Sequence, residues 1–143
     1  MYKLYIKENI SSKEFLEEVL KKYNTKSKII TNEHRKPYLE DNEIYFNISH
    51  SGKYTVIVVG DSEIGVDIQK MSYKPKVVKR FYNQKEKELA TSELEFTKIW
   101  TIKEAYVKKL GIGLSYGLEN VDTTELDNIE VIIKEDYVIA ICY

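Results

Sequence analysis

The amino-acid sequence predicts an α+β domain, and three observations carry that expectation. Apolar residues recur at helical spacing behind capping signals, most clearly over Phe15–Tyr23 and Glu93–Leu110. Short β-branched and aromatic runs bounded by Gly, Asn, Asp and Ser read as strands. The chain alternates these strand patterns with helical ones, and long helices beside mostly antiparallel strand runs indicate the α+β class. At 143 residues the chain suffices for one well-buried domain and is too short for two.

The elements follow in order. Tyr2–Ile6 is the opening strand. Ser11 and Glu14 form a capping box for a helix whose apolar stripe is Phe15, Leu16, Val19, Leu20 and Tyr23. A brief strand lies near Lys28–Thr31, and Asn32–Asn42 reads as a loop. Ile44–Ser49, Tyr54–Val59 and Ile64–Gln69 are strands; Gly52 punctuates the first gap, and Gly60-Asp61-Ser62 makes a hairpin turn of the second. Pro75 opens a helix, and Asn83 with Glu86 caps another short one. Ser92 with Glu95 caps the longest helix, Glu93–Leu110, and Gly111 ends it in the left-handed conformation. Ile129–Ile133 and Tyr137–Cys142 close the chain as strands.

Composition narrows the function classes. Twenty-two basic and 23 acidic residues give a net charge of −1, so bulk electrostatics favour neither nucleic acid nor an anionic membrane. The single cysteine, Cys142, allows no internal disulfide and no cysteine zinc site. No apolar run approaches the roughly 18 residues of a membrane span, and Lys3 and Lys7 break up the start of the chain. The expectation is a cytoplasmic protein. Charge is nevertheless segregated. Seven basic residues between Lys70 and Lys87 face one acid, Glu86, and seven acids between Glu119 and Asp136 face Lys134 alone.

Four pieces could carry chemistry, and each has a structural alternative. In Ile64-Gly65-Val66-Asp67-Ile68-Gln69 the side chains alternate, so Asp67 and Gln69 oppose Val66 and Ile68. A carboxylate there needs a cation or a lysine partner, and Gly65 allows close approach of a ligand or another backbone. In the long helix, Glu104 and Lys108 are spaced as an ordinary surface pair, but Lys103 falls inside the apolar stripe of Phe96, Ile99, Trp100, Tyr106, Val107 and Leu110. Asn47-Ile48-Ser49-His50-Ser51-Gly52 could cradle a phosphate or could be a polar strand end. Arg35-Lys36-Pro37 is a cationic loop with a rigid break.

Taken in order, Tyr45-Phe46-Asn47-Ile48-Ser49-His50-Ser51, Ile64-Gly65-Val66-Asp67-Ile68 and Trp100-Thr101-Ile102-Lys103-Glu104-Ala105-Tyr106-Val107-Lys108 closely resemble the 4'-phosphopantetheinyl transferases of the surfactin type. Arg35-Lys36-Pro37 matches that family's upstream loop, with Arg35 where glycine is usual. Arg80-Phe81-Tyr82 and Gly111-Ile112-Gly113-Leu114-Ser115 look like further landmarks. The resemblance runs from about Arg35 to Ser115. It implies two pseudo-symmetric α+β lobes in one chain, about residues 1–60 and 61–143, with the first abbreviated ahead of Arg35.

The implied reaction moves the phosphopantetheine arm of coenzyme A onto a serine of an acyl or peptidyl carrier protein. Such phosphoryl transfer demands charge neutralisation and alignment. The resemblance places Mg²⁺, or Mn²⁺ in its stead, on Asp67 and Glu104, with Gln69 nearby in place of a third acid. It makes Lys108 the lysine at the pyrophosphate, and Lys103, Ser49 and His50 phosphate contacts. Arg35, Lys36 and Pro37 lie toward the nucleotide. The general base stays open between Glu104 and a metal-bound water. An acidic carrier would dock on the Lys70–Lys87 segment, and the two-lobed relatives act as monomers. Two rival readings use the same residues: a Mg²⁺-dependent phosphodiester hydrolase, and a coenzyme A-binding module without transferase activity.

Overall fold

The computed structural model describes the backbone of residues 1–143 and every side chain except those of Leu114 and Ser115, so that end of the Gly111–Ser115 landmark lies outside the described residues. In chain order the elements are β1 (Tyr2–Glu8), α1 (Ser12–Lys21), β2 (Ile29–Thr31), β3 (Pro37–Leu39), β4 (Tyr45–Ser51), β5 (Tyr54–Gly60), β6 (Gly65–Lys70), α2 (Pro75–Phe81), α3 (Gln84–Leu89), α4 (Glu93–Leu110), β7 (Ile129–Lys134) and β8 (Tyr137–Cys142). Short 3-10 turns at Gly113–Tyr116, Leu118–Asn120 and Thr123–Glu125 link α4 to β7. The α+β expectation is met.

The caps do what their residues dictate. Ser11, Asn83 and Ser92 each accept a hydrogen bond from the third residue of the helix they open, and Gly111 ends α4 at φ 69°. Two expectations change. The Asn32–Asn42 loop contains β3, which pairs with β2 as a small ribbon. Gly60-Asp61-Ser62 is not a hairpin turn. Strand β5 pairs with β1 on one side and β4 on the other, so both its backbone edges are occupied and β6 must begin a different sheet.

Both three-stranded sheets are antiparallel, ordered β1-β5-β4 and β6-β8-β7. Each is built from a strand, a helix and a hairpin whose second strand sits in the middle. Period-two alternation sends Tyr54, Val56 and Val58 of β5 against Val66, Ile68, Ile139 and Ile141 of the second sheet. It sends Ile57 and Val59 the other way, onto Phe15, Leu16, Val19 and Leu20 of α1. Helix α4 covers the far face of the second sheet, with Ala105 on Ala140 and Cys142. The close approach Gly65 permits is that of α4: a Cβ there would collide with the Ala105 carbonyl and lie 2.9 Å from the Lys109 Cα.

Where the two sheets meet, edge strand β4 faces edge strand β6. The outward N–H groups of β6 find side chains instead of a strand: Val66 donates to Asn47 Oδ1 at 2.9 Å and Ile68 to Ser49 Oγ at 3.4 Å. This joint carries the polar residues described next.

Candidate active site

Asp67 sits on the joint, 6% exposed. Its Oδ1 accepts from Ser49 Oγ at 3.0 Å and its Oδ2 from Gln69 Nε2 at 2.9 Å. Burial nevertheless drives its pKa upward, against the opposing pull of Lys108 and these hydrogen bonds. Helix α4 brings Glu104 and Lys108 to the same place on its 3.6-residue period. Burial first, then the negative charge of Asp67, raise the Glu104 carboxyl to about 7; Lys108 and Lys74 act the other way. Burial lowers the Lys108 ammonium while both carboxylates support it, and its Nζ donates to the Ile48 carbonyl at 2.6 Å. Strand β4, strand β6 and helix α4 thus converge on two acids and one lysine with negative charge in excess.

Among the described residues no group of three or more His, Cys, Asp or Glu side chains gathers as a metal site. The oxygen donors that could hold a hard cation here are the Asp67 and Glu104 carboxylates and the Gln69 amide carbonyl. The donor chemistry fits. Burial pushes both carboxylates toward protonation, the charge of Asp67 adds to this at Glu104, and a divalent ion would relieve both.

Beside Lys108 lies a cavity of about 290 Å³ lined by His34, Arg35, Lys36, Pro37, Asn47, Ile48, Val107, Lys108, Gly111 and Gly113. The cationic loop read from the sequence therefore meets α4 and β4 across this space. Asn32 shapes the loop: its Oδ1 accepts from the His34 and Lys36 N–H groups, and its Nδ2 donates to the Gly111 carbonyl at 2.8 Å. Asn32 carried no signal in the sequence, and Asn47 was visible only as part of its motif.

Of the remaining candidates, Ser49 bonds Asp67 while Pro37 and Arg35 line the cavity. Two expected phosphate contacts, Lys103 and His50, are placed otherwise. Lys103 is fully buried, with its ammonium 2.9 Å from Glu86 and donating to the Leu118 and Val121 carbonyls, so its three N–H bonds are spent away from the acid pair. The phosphate role is corrected to an internal one, which also answers why a lysine occupies an apolar stripe. His50 follows Ser49 on β4 and so points to the opposite face. It is exposed and lines a separate depression with Ser11, Ser12 and Lys53. Lys36 lines the cavity, but its Nζ donates to Glu63 and to the Ile64 and Lys109 carbonyls, tying down the end of α4.

A cation-lined cavity beside two carboxylates at the joint of two sheets has the chemistry to accept a polyanionic ligand. Comparison with known proteins supplies the family: the 4'-phosphopantetheinyl transferase superfamily matches residues 63–142, and the chain belongs to it. A putative 4'-phosphopantetheinyl transferase of Synechocystis sp. is 42% identical over 60% of this chain and 40% of its own length. A 4'-phosphopantetheinyl transferase of Bacillus subtilis is 32% identical over 77% of this chain and 60% of its own. The 4'-phosphopantetheinyl transferase Sfp of Bacillus subtilis strain 168 is 36% identical over 63% and 44%. The chain thus spans roughly two fifths to three fifths of these relatives.

Proposed function

We propose that the protein transfers the 4'-phosphopantetheine arm of coenzyme A to a serine of an acyl or peptidyl carrier protein. The observation that carries this reading is the convergence of Asp67, Glu104 and Lys108 beside the cavity lined by Arg35, Lys36 and Pro37. In the reaction the serine oxygen bonds to the phosphorus bearing pantetheine and the pyrophosphate P–O bond breaks. Adenosine 3',5'-bisphosphate leaves with the electron pair, and the hydroxyl proton is released. Asp67 and Glu104, with Gln69 beside them, would hold Mg²⁺ or Mn²⁺, which would supply neutralisation of the pyrophosphate charge. Lys108, fixed on the Ile48 carbonyl, presents its ammonium to the departing phosphate. The serine proton passes to Glu104 or to a water that it orients. Ser49 and Gln69 hold the Asp67 carboxylate in place.

The two strand–helix–hairpin halves are read as pseudo-symmetric lobes of one domain, about residues 1–60 and 61–143, with the site at their joint and one copy sufficient for activity. A cytoplasmic location follows from the family; no helix among the described residues is long and apolar enough to cross a membrane. The carrier docks on the Lys70–Lys87 segment, which runs from the end of β6 through α2 into α3. Lys70, Lys74, Lys76, Lys79, Arg80, Lys85 and Lys87 are all exposed there, whereas Glu86 is buried, so the exposed surface is more basic than the sequence count.

The test is to incubate the protein with coenzyme A, Mg²⁺ and several apo-carriers and to weigh the carriers. A mass gain equal to phosphopantetheine is expected on one of them, with a Michaelis constant that rises when Lys76 and Lys79 are changed to Glu. Free phosphopantetheine without carrier modification would instead identify a hydrolase. Coenzyme binding with neither product would identify a binding module.

A further inference from the structure

Helix α4 is held from two sides. Its Ala105 face lies on the second sheet. Phe96, Trp100 and Lys103 share another face, about 200° round the helix from Ala105 at 3.6 residues per turn. That face carries the segment that follows β6 and contains α2 and α3. Polar contacts hold the segment at three points. Thr97 Oγ1 accepts from the Ser72 N–H at 3.0 Å, where the chain leaves β6. Tyr82 stacks on Phe96 and donates from its hydroxyl to the Phe96 carbonyl at 2.7 Å. Glu86 meets the Lys103 ammonium at 2.9 Å.

Glu104 follows Lys103 by one residue, about 100° further round, and so stands on the flank between the sheet and this segment. Lys74, which precedes α2, is near enough for its charge to act on the Glu104 carboxyl. The innermost contact is also the one that stability alone explains least. Packed apolar residues of similar volume often stabilise a core as well as a buried ion pair does, and the best-attested use of such a pair is to fix register. The register fixed here is that of the basic segment on the helix bearing Glu104 and Lys108. Glu86 is buried between Lys85 and Lys87, both exposed, so the anchor and the docking cations share one turn of α3.

We propose that Glu86 and Lys103 are positioning residues that bring the serine of a docked carrier into line with Glu104 and Lys108. They act through the basic segment and touch neither coenzyme nor carrier. The inference rests on the transferase reading and on docking along Lys70–Lys87.

Its test is steady-state carrier modification, with dissociation constants for coenzyme A measured separately and folding verified by melting temperature. The double variant Glu86→Gln with Lys103→Met keeps every docking cation. Its Michaelis constant for the carrier should stay within about twofold of the wild type while kcat falls roughly ten- to a hundredfold, the effect of misplacing a reacting group by about 1 Å. Its affinity for coenzyme A should not change. Thr97→Val, which removes the Ser72 fastening, should lower kcat several-fold in the same pattern, and it carries the test where the double variant does not fold. A wild-type kcat in whichever of these variants folds, or a matching loss of coenzyme A affinity, would overturn the assignment while leaving the transferase reading intact. A wild type that modifies no carrier would overturn that reading itself.

Discussion

Two of the four lysines of helix α4, Lys103 and Lys108, stand beside carboxylates in opposite circumstances. Lys103 and Glu86 are 2.9 Å apart with no exposed surface on either side chain. Every polar atom of that pair is used. Glu86 accepts from the Asn83 N–H and from the backbone and hydroxyl of Thr123, while Lys103 takes two carbonyls of the 3-10 segment. One pair thereby fastens α3, α4 and the path toward β7. Lys108 faces two carboxylates instead of one, and burial pushes the acids up and the lysine down. A balanced, saturated charge pair builds structure. An unbalanced one leaves charge that a bound ion would offset.

The contrast can be broken most sharply at Lys103. Lys103→Met strands the Glu86 carboxylate in the core and should cost about 3–5 kcal/mol of unfolding free energy, measured by urea denaturation. Adding Glu86→Gln should recover a large part of that loss. Equal stability of the single and double variants would show that the pair is not coupled.

Glu104→Gln should do the reverse, lowering turnover roughly a thousandfold with the fold retained. Its effect on stability has a defined sign. Because the folded protein holds the Glu104 proton up to about pH 7, the unfolded chain releases it first as pH rises, and the ionised group costs stability that is complete above pH 7. In divalent-free buffer, Glu104→Gln should therefore melt higher than the wild type at pH 8 and close to it at pH 4. A variant melting lower at pH 8 would place Glu104 among the structural charges with Glu86.

Gln69→Glu is the smallest change. It replaces the amide that donates to Asp67 with a third acid, deepening the imbalance. A several-fold fall in the Mg²⁺ concentration for half-maximal rate is expected, and an unchanged requirement would remove Gln69 from the ion's surroundings.

Much of this architecture was legible because local chemistry encodes it. The capping serines, Asn83 and Gly111 mark helix ends within a few residues, and β8 coincides with a continuous apolar run. Strand partners were not legible, since whether β6 joins β5 or β8 is decided by edges contributed from distant parts of the chain. Three-residue β3, opening on Pro37, is too short for a period to register. At the site, Asp67, Glu104 and Lys108 lie within electrostatic reach of one another. Lys103 was misread because its partner Glu86 has every local mark of a helix cap, which it also is. The directions of Ser49 and His50 follow from strand alternation, a rule that motif matching alone does not apply.

The most direct test follows Mn²⁺ binding by electron paramagnetic resonance in the presence of coenzyme A, comparing wild type, Asp67→Asn, Glu104→Gln and the double variant Glu86→Gln with Lys103→Met. The expected result is one tight Mn²⁺ in the wild type and in the folded double variant, and at least tenfold weaker binding in each of the other two. Equal Mn²⁺ affinity in all four proteins would contradict the division between structural and functional charge.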